Sequence, residues 1–197
     1  RGHDGPFTVS KGRSNNLLDQ AFLLAGTQAG YHINNDFNGE QQDGFGLYDH
    51  AITNGLRVSA SSSYLDPAKK RSNLSVRTET NVTRIQLQGK RVTSVEFMDK
   101  TGKGQINARN EVVLSAGAIG SPRILQRSGI GDGEFLHSIG VPVTHHLPGV
   151  GKNLQNHAEI VLQYKCMRPV SWFRFTQPLG KFVSGARWFL THSGVCA

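Results

Sequence analysis

The chain has 197 residues, of which 37% are hydrophobic and 18% are charged, and its formal net charge is +8. With a mean hydropathy of -0.36, this composition is typical of a soluble globular protein, and no apolar run approaches the roughly 18 residues that a membrane-spanning helix needs. The positive charge does not predict a nucleic-acid partner, because the basic residues are dispersed and the densest run is Lys69-Lys70-Arg71, a solvated corner.

The two cysteines and the chain ends add little chemistry. Cys166 and Cys196 show neither CxxC spacing nor a nearby histidine cluster, so we expect neither a disulfide framework nor a metal site. The chain begins with Arg1 and carries no signal region, and we expect it to be an internal piece of a longer protein. These features leave its cellular compartment unknown.

The first predicted element is a helix over residues 16–28, since Leu17, Leu18, Ala21 and Leu24 follow helical spacing. Gly30 is expected to end it. Residues 32–57 are rich in Asn, Asp, Gly and Gln, which is typical of a loop without its own core.

From residue 74 the hydrophobic period changes to two, which predicts strands. Ile85 and Leu87 are expected to face Val95 and Phe97 across a turn at Gly89-Lys90. After a second turn in "DKTGKGQ", the apolar run of residues 111–116 predicts a strand that is buried on both faces. This order of elements is typical of an α/β protein.

A corner rich in small residues follows in "GAIGSPRILQRSGIG", residues 117–131. Here we expect a short helix that Ser121 caps, with Pro122 at its first position and Gly129 directly after its end. The corner fits either a site where a ligand approaches the backbone or a tight packing corner without a ligand. It lacks the GxGxxG spacing of a dinucleotide fingerprint, and "LPGVGKN" at residues 147–153 lacks the Walker spacing of a phosphate loop.

Residues 117–131 resemble the second signature of the glucose-methanol-choline flavoprotein oxidoreductases. The resemblance extends through "NGEQQDGFG", "SYLDPA", "TNVTRI" and "LPGVGKNLQNHAEI", and it is closest to the choline-oxidising members. It implies a Rossmann-like FAD-binding lobe interleaved with a substrate lobe built on an antiparallel sheet, α/β in class (α+β overall) and incomplete in this segment. Residues 57–157 would belong to the FAD-binding lobe, and residues 1–56 and 158–197 to the substrate lobe.

The resemblance also implies cofactor-binding residues. Val82, in the "TNVTRI" strand, would lie against the adenine end of FAD, and Ala116, Gly117 and Ala118 would run close to the cofactor. By pattern alone Val82 is an ordinary hairpin core residue. The chain departs from common family residues at Gly120 and Arg123, where Asn and Gln are usual, and at Asn156, where Asp is usual.

Glu159 and His157 are the candidate substrate-binding residues. Alternation predicts a strand in "NHAEI", with both side chains on one face. In choline-oxidising members the Glu of this motif contacts the quaternary ammonium group, which offers no N–H and must be held by charge and aromatic faces. Nearby aromatic residues could contribute, although Phe182, Ala186 and Phe189 have the spacing of a buried helical stripe. The alternative for Glu159 is a solvated residue at a strand end.

The resemblance therefore implies an FAD-dependent alcohol oxidoreductase that oxidises choline to betaine aldehyde, or a relative that acts on a neutral alcohol or sugar. A flavin-free binding protein with a basic surface is the third alternative. The GxGxxG unit and the catalytic histidine pair, or histidine and asparagine, of the family are not in this sequence, so we expect no catalytic residue here and no activity from the segment alone. We expect no nucleic-acid partner. The electron acceptor is open, and the resemblance allows peripheral membrane association of the full-length protein, which would be cytoplasmic or membrane-associated in bacteria and mitochondrial in eukaryotes.

Overall fold

The computed structural model describes residues 2, 4–12 and 16–195, and the chain forms two compact units. The flanking unit comprises Arg1–Ser75 and Leu162–Ala197, and the central unit comprises Val76–Val161. Helices and small antiparallel sheets are both present, which confirms the mixed α/β class. The assignment of residues 57–157 to an FAD-binding lobe and of the flanks to a substrate lobe stays a prediction.

The flanking unit is built from short elements. In chain order they are β1 (Ser10–Lys11), α1 (Leu17–Gln28), β2 (Asp49–His50), β3 (Ile52–Thr53), β4 (Leu56–Arg57), a π-helical turn (Ser61–Leu65), α2 (Asp66–Ala68), α5 (Phe173–Thr176) and α6 (Pro178–Thr191).

Helix α1 confirms the helix predicted over residues 16–28. The Asn16 side chain caps it by accepting a hydrogen bond from the Leu18 N–H at 2.9 Å. After the helix, Gly30 has a φ of +90°, a conformation that glycine adopts without steric cost. Gly26 lies against the Phe45 ring, so even a methyl group there would collide with the ring.

The loop that follows α1 is organised by the buried side chain of Asn34. Its Nδ2 donates to the carbonyls of Gln41 and Asp43, both at 2.8 Å, and its Oδ1 accepts from the Asp36 N–H at 2.7 Å. One amide thus satisfies three backbone groups that no sheet or helix pairs. Residues 32–48 form a loop, as predicted, with a fixed internal frame, whereas residues 49–57 of the predicted loop contain β2, β3 and β4.

Two strand pairs were not predicted from the sequence: β2, at the end of this loop, pairs with β1 from before α1, and β3 pairs with β4. The second pair turns at Asn54-Gly55, where φ is +52° and +71°, as a two-residue hairpin loop requires. The Asn-Gly dipeptide is the sequence feature that could have predicted this hairpin turn. The indole Nε1 of Trp188, in α6, donates to the Gly55 carbonyl at 2.8 Å and so ties that helix to the turn.

The predicted buried stripe on α6 is wrong. Phe182 and Phe189 are 74% and 76% exposed, and Ala186 is also exposed. The covered side of the helix instead carries Ser184 and the half-buried Trp188. Spacing identified an apolar stripe, but which side of a helix is covered depends on its tertiary partners.

Cys166 is free and exposed, whereas Cys196 lies outside the described residues. The described part of the chain holds no group of three His, Cys, Asp or Glu side chains arranged for a metal ion. Within the same residues no helix has the length and hydropathy to cross a bilayer.

The central unit contains the buried hydrophobic core of the described chain, namely Ile85, Phe97, Ile124 and Leu136. Its elements are β5 (Asn81–Gln88), β6 (Arg91–Asp99), β7 (Gly102–Asn107), α3 (Gly117–Arg127), β8 (Ile130–Gly131), α4 (Gly133–Ser138) and β9 (His145–His146).

Strands β5, β6 and β7 form an antiparallel sheet in that order, which confirms the predicted hairpin and its turn at Gly89-Lys90. Ile85 pairs with Val95 as predicted, but Leu87 pairs with Val92. The register shifts between Gln86 and Leu87, and such an irregularity changes which residues face each other.

The predicted strand over residues 111–116 is wrong. This segment forms no strand in the structure, and Val113 is 76% exposed. An apolar run becomes a buried parallel strand only where neighbouring strands pair with both of its edges, and no described strand pairs with this one.

Candidate functional site

A groove of about 480 Å³ opens in the central unit beside strand β5 and helix α3. The walls come from the start of β5, one residue of β6, the irregular segment before α3, and one face of α3. The lining residues are 80–82, Ile85, Val95, 112–116, Gly120, Arg123 and Ile124. Apart from Arg123, every lining residue is uncharged and most are apolar, so the groove fits a ligand whose body is largely uncharged.

The groove brings together two of the predicted cofactor-binding residues, which are far apart in sequence. Val82 lines it from β5, and Ala116 lines it from the end of the irregular segment. Gly117 and Ala118 follow Ala116 as the first residues of α3 and do not line the groove. Whether any of the four contacts a cofactor stays a prediction.

Gly117 marks the abrupt change from the irregular segment to the helix. Its φ is +83°, and beyond its two chain neighbours and the backbone of its own helix no heavy atom lies within 4 Å of the position that a Cβ would occupy. Backbone conformation, rather than tight packing within the described chain, therefore accounts for glycine here. The result is an open backbone corner next to the groove.

The predicted start of helix α3 is wrong, because the helix begins at Gly117 and Pro122 lies inside it. Ser121 therefore does not cap helical N–H groups. Its hydroxyl accepts from the N–H of Ala116, the residue before the helix, at 3.0 Å. Pro122 has no N–H to bond the Ala118 carbonyl, so one bond of the ladder is absent near the helix start.

Ser128, directly after α3, connects the helix to the edge strand of the sheet. Its buried hydroxyl accepts from the Ile85 N–H at 2.9 Å and donates to the Ile124 carbonyl at 2.6 Å. Both isoleucines line the groove. One hydroxyl thus joins two walls of the groove and satisfies an N–H that β5, as an edge strand, could not pair within the sheet.

Gly129 follows as the predicted glycine beyond the helix end, with a φ of +80°. Its carbonyl accepts from the N–H groups of Thr144 and His145, at 2.8 and 3.0 Å. A Cβ at Gly129 would lie 2.5 Å from the Thr144 hydroxyl. The glycine therefore permits both the turn and the close passage of the returning chain, where β8 pairs with β9 in parallel.

The "LPGVGKN" segment, which follows β9, is held by two contacts with earlier residues of the central unit. Lys152 forms a 2.7 Å ion pair with Asp132, and Gln126 Nε2 donates to the Val150 carbonyl at 3.2 Å. The hydrogen bond from Lys152 lowers the pKa of Asp132 below its ordinary value of 3.8. This segment therefore has a structural role, in agreement with its lack of Walker spacing.

His157 and Glu159 lie in an irregular segment, and the strand predicted for "NHAEI" is wrong. Both residues are exposed, and neighbouring Ile160 is 86% exposed. Alternating residues form a strand only beside a partner, and among the described strands none pairs with this segment. Neither residue lines the groove, and a substrate-binding role for them stays a prediction.

Arg123 lines the groove although it was not predicted as a site residue from the sequence. Arg123 shares one face of α3 with Gly120 and Ile124, the other two helix residues of the groove. Two sequence features could have indicated Arg123 as a site residue. It lies three residues after Gly120, and it stands where Gln is usual in the family.

A family model for GMC oxidoreductases matches residues 3–159, and the chain belongs to that family. The oxygen-dependent choline dehydrogenase of Staphylococcus xylosus is 46% identical over 197 residues, which are 100% of this chain and 35% of that protein. The chain thus spans about a third of the length of the curated relatives it matches.

Two solved structures are similar in fold and in sequence. An FAD-dependent oxidoreductase from Chaetomium thermophilum has a TM-score of 0.82 at 26% identity, covering 100% of this chain and 35% of that one. Pyridoxine 4-oxidase from Mesorbium loti has a TM-score of 0.70 at 31% identity, covering 75% of this chain and 29% of that one.

Proposed function

We propose that the complete protein containing this chain is an FAD-dependent alcohol oxidoreductase that oxidises choline to betaine aldehyde. The observation that carries the proposal is the 46% identity to an oxygen-dependent choline dehydrogenase along the whole of this chain. The family membership and the FAD-dependent structural relative support the cofactor and the reaction class.

The groove supports the FAD part of the proposal by its chemistry. Most of its lining side chains are apolar or small, and one of them belongs to Ala116, the residue directly before the open backbone corner of Gly117. These features suit a flat, mostly uncharged ring system that approaches the backbone closely. Val82, Ala116, Gly117 and Ala118 are the residues that would hold the cofactor, which supplies the hydride acceptor when bound.

Glu159 is the proposed contact for the substrate cation. A trimethylammonium group cannot donate a hydrogen bond, so it is recognised by charge and by aromatic faces. Glu159 is exposed and makes no hydrogen bond or ion pair with the described residues. Its carboxylate is therefore available to a cationic ligand, and His157 stands two residues away in the same segment.

The first test is the visible spectrum of the complete protein without oxygen, before and after choline is added. We expect flavin absorption bands that bleach when choline reduces the cofactor. A flavoprotein that choline does not bleach would retain the family and refute the substrate. A folded, colourless protein that FAD cannot reconstitute would refute the cofactor as well. Admitting oxygen after bleaching would show whether oxygen is the acceptor, as the relative's name suggests.

Glu159→Gln in the complete protein tests the substrate contact. We expect the KM for choline to rise about tenfold, equivalent to about 1.4 kcal/mol, because the charge that attracts the ammonium is lost. The kinetics with the uncharged analogue 3,3-dimethylbutan-1-ol should not change. Glu134→Gln, at another exposed glutamate of the central unit, is the matched control. An unchanged choline KM would exclude Glu159 from the site.

A second candidate is an oxidoreductase of the same family that acts on a different alcohol. It is favoured by the 31% identity to pyridoxine 4-oxidase over 75% of this chain. Equal turnover of choline and 3,3-dimethylbutan-1-ol would support this candidate, since the cationic group would then contribute nothing to recognition. Strong preference for choline would exclude it.

A further inference from the structure

Arg123 has the only charged side chain on the groove, among the residues that the structure describes. A guanidinium beside an otherwise uncharged surface attracts anionic groups, because few other charges there compete for it. This contrast indicates that the ligand presents negative charge at this position.

The Arg123 guanidinium makes no ion pair or hydrogen bond with the described residues. Two other cations of the central unit form ion pairs, since Arg84 contacts Glu96 at 3.0 Å and Lys152 contacts Asp132 at 2.7 Å. Arg123 can therefore contact a ligand without breaking an interaction of the fold.

Because of its location on α3, the Arg123 side chain is expected to extend toward the end of the groove where the helix begins. Helical side chains lean toward the N-terminus of their helix and cover the turn before their own Cα. The residue one turn earlier is Gly120, which has no side chain to block that path. The unpaired N–H groups of the first helical turn add partial positive charge in the same direction.

We propose that Arg123 binds a phosphate oxygen of the ADP half of the cofactor. This inference rests on the proposed FAD-dependent function and names a contact for which this chain departs from the usual family residue. The guanidinium supplies planar N–H donors, which bind phosphate in a fork-like geometry that neutral Gln cannot offer. Arg123 then makes the groove select a phosphorylated adenine ligand over a neutral nucleoside.

The experiment measures the dissociation constants of ADP and adenosine for the complete apoprotein, after wild-type binding of FAD has been established. We expect Arg123→Gln to weaken ADP binding about tenfold and to leave adenosine binding unchanged. Arg123→Lys should bind ADP with an affinity between those of the wild type and Arg123→Gln, because it keeps the charge but loses the fork of planar donors. Arg127→Gln is the matched control, since it removes an exposed charge of the same helix away from this groove.

Two results would overturn the inference. If Arg123→Gln weakened ADP no more than Arg127→Gln, the guanidinium would not contact phosphate. If it weakened ADP and adenosine equally, Arg123 would act by packing and not by charge. Both results leave the proposed function intact as long as the wild type binds FAD. A folded wild-type protein that binds neither FAD nor ADP would refute the proposed function together with this inference.

Discussion

Replacing Ser128 by alanine tests whether one hydroxyl joins the two walls of the groove. The substitution removes the acceptor of the buried Ile85 N–H and the donor to the Ile124 carbonyl. The carbonyl keeps a partner, because the Ser128 N–H also donates to it at 3.1 Å. The N–H of Ile85 loses its partner, and an unsatisfied buried donor costs about 1–3 kcal/mol.

The assay is hydrogen exchange of the Ile85 amide in the complete protein. A cost of about 1–3 kcal/mol corresponds to exchange that is faster by about 5- to 150-fold, since each 1.4 kcal/mol is a factor of ten. Ser138→Ala is the matched control, because it deletes an exposed hydroxyl that bonds only its own helix, and its cost should stay within about 0.5 kcal/mol. Equal protection of Ile85 in the two variants would refute the proposed role of Ser128.

Three further predictions concern stability. Asn34→Asp should open the 36–43 loop and speed its limited proteolysis, because the carboxylate would face two carbonyls that now accept from the amide at 2.8 Å; unchanged cleavage would contradict the frame described for this loop. Gly129→Ala should lower the melting temperature more than Gly89→Ala, since both positions have a positive φ that costs about 1–2 kcal/mol but only Gly129 lacks space for a Cβ. Lys152→Met should reduce the acid sensitivity of the central unit: the lowered pKa of Asp132 gives stability that is present above pH 3.8 and is lost as the pH falls through the lower folded value. Denaturant melts between pH 3 and pH 7, a range chosen around that ordinary pKa, measure the effect, and parallel curves for variant and wild type would exclude this ion pair as its cause.

Elements defined by local signals were predictable from the sequence. Helix α1, the hairpin at Gly89-Lys90 and the position of Gly129 depend on spacing, a cap or a backbone conformation that a short stretch of chain specifies. The Asn54-Gly55 hairpin belongs to the same class and was overlooked, although its dipeptide is a strong turn signal.

Elements that need a distant partner were not predictable in the same way. Residues 111–116 have the composition of a buried strand, and residues 156–160 have its alternation, yet neither segment pairs with a described strand. The apolar stripe of α6 was recognised, but which side of the helix is covered is decided by contacts such as Trp188 with Gly55. The candidate site shows the same division. Val82 and Ala116 line one groove, and their proximity depends on tertiary structure.

The division of the chain into two units also separates its chromophores. All 2 Trp and 4 Tyr residues belong to the flanking unit, and they are Tyr31, Tyr48, Tyr64, Tyr164, Trp172 and Trp188. Near-ultraviolet emission from this chain therefore originates outside the central unit, and ligand entry into the groove has no nearby indole or phenol of that unit to report it. Val113, which lines the groove and is 76% exposed, offers a position where an introduced tryptophan would make occupancy of the groove optically visible.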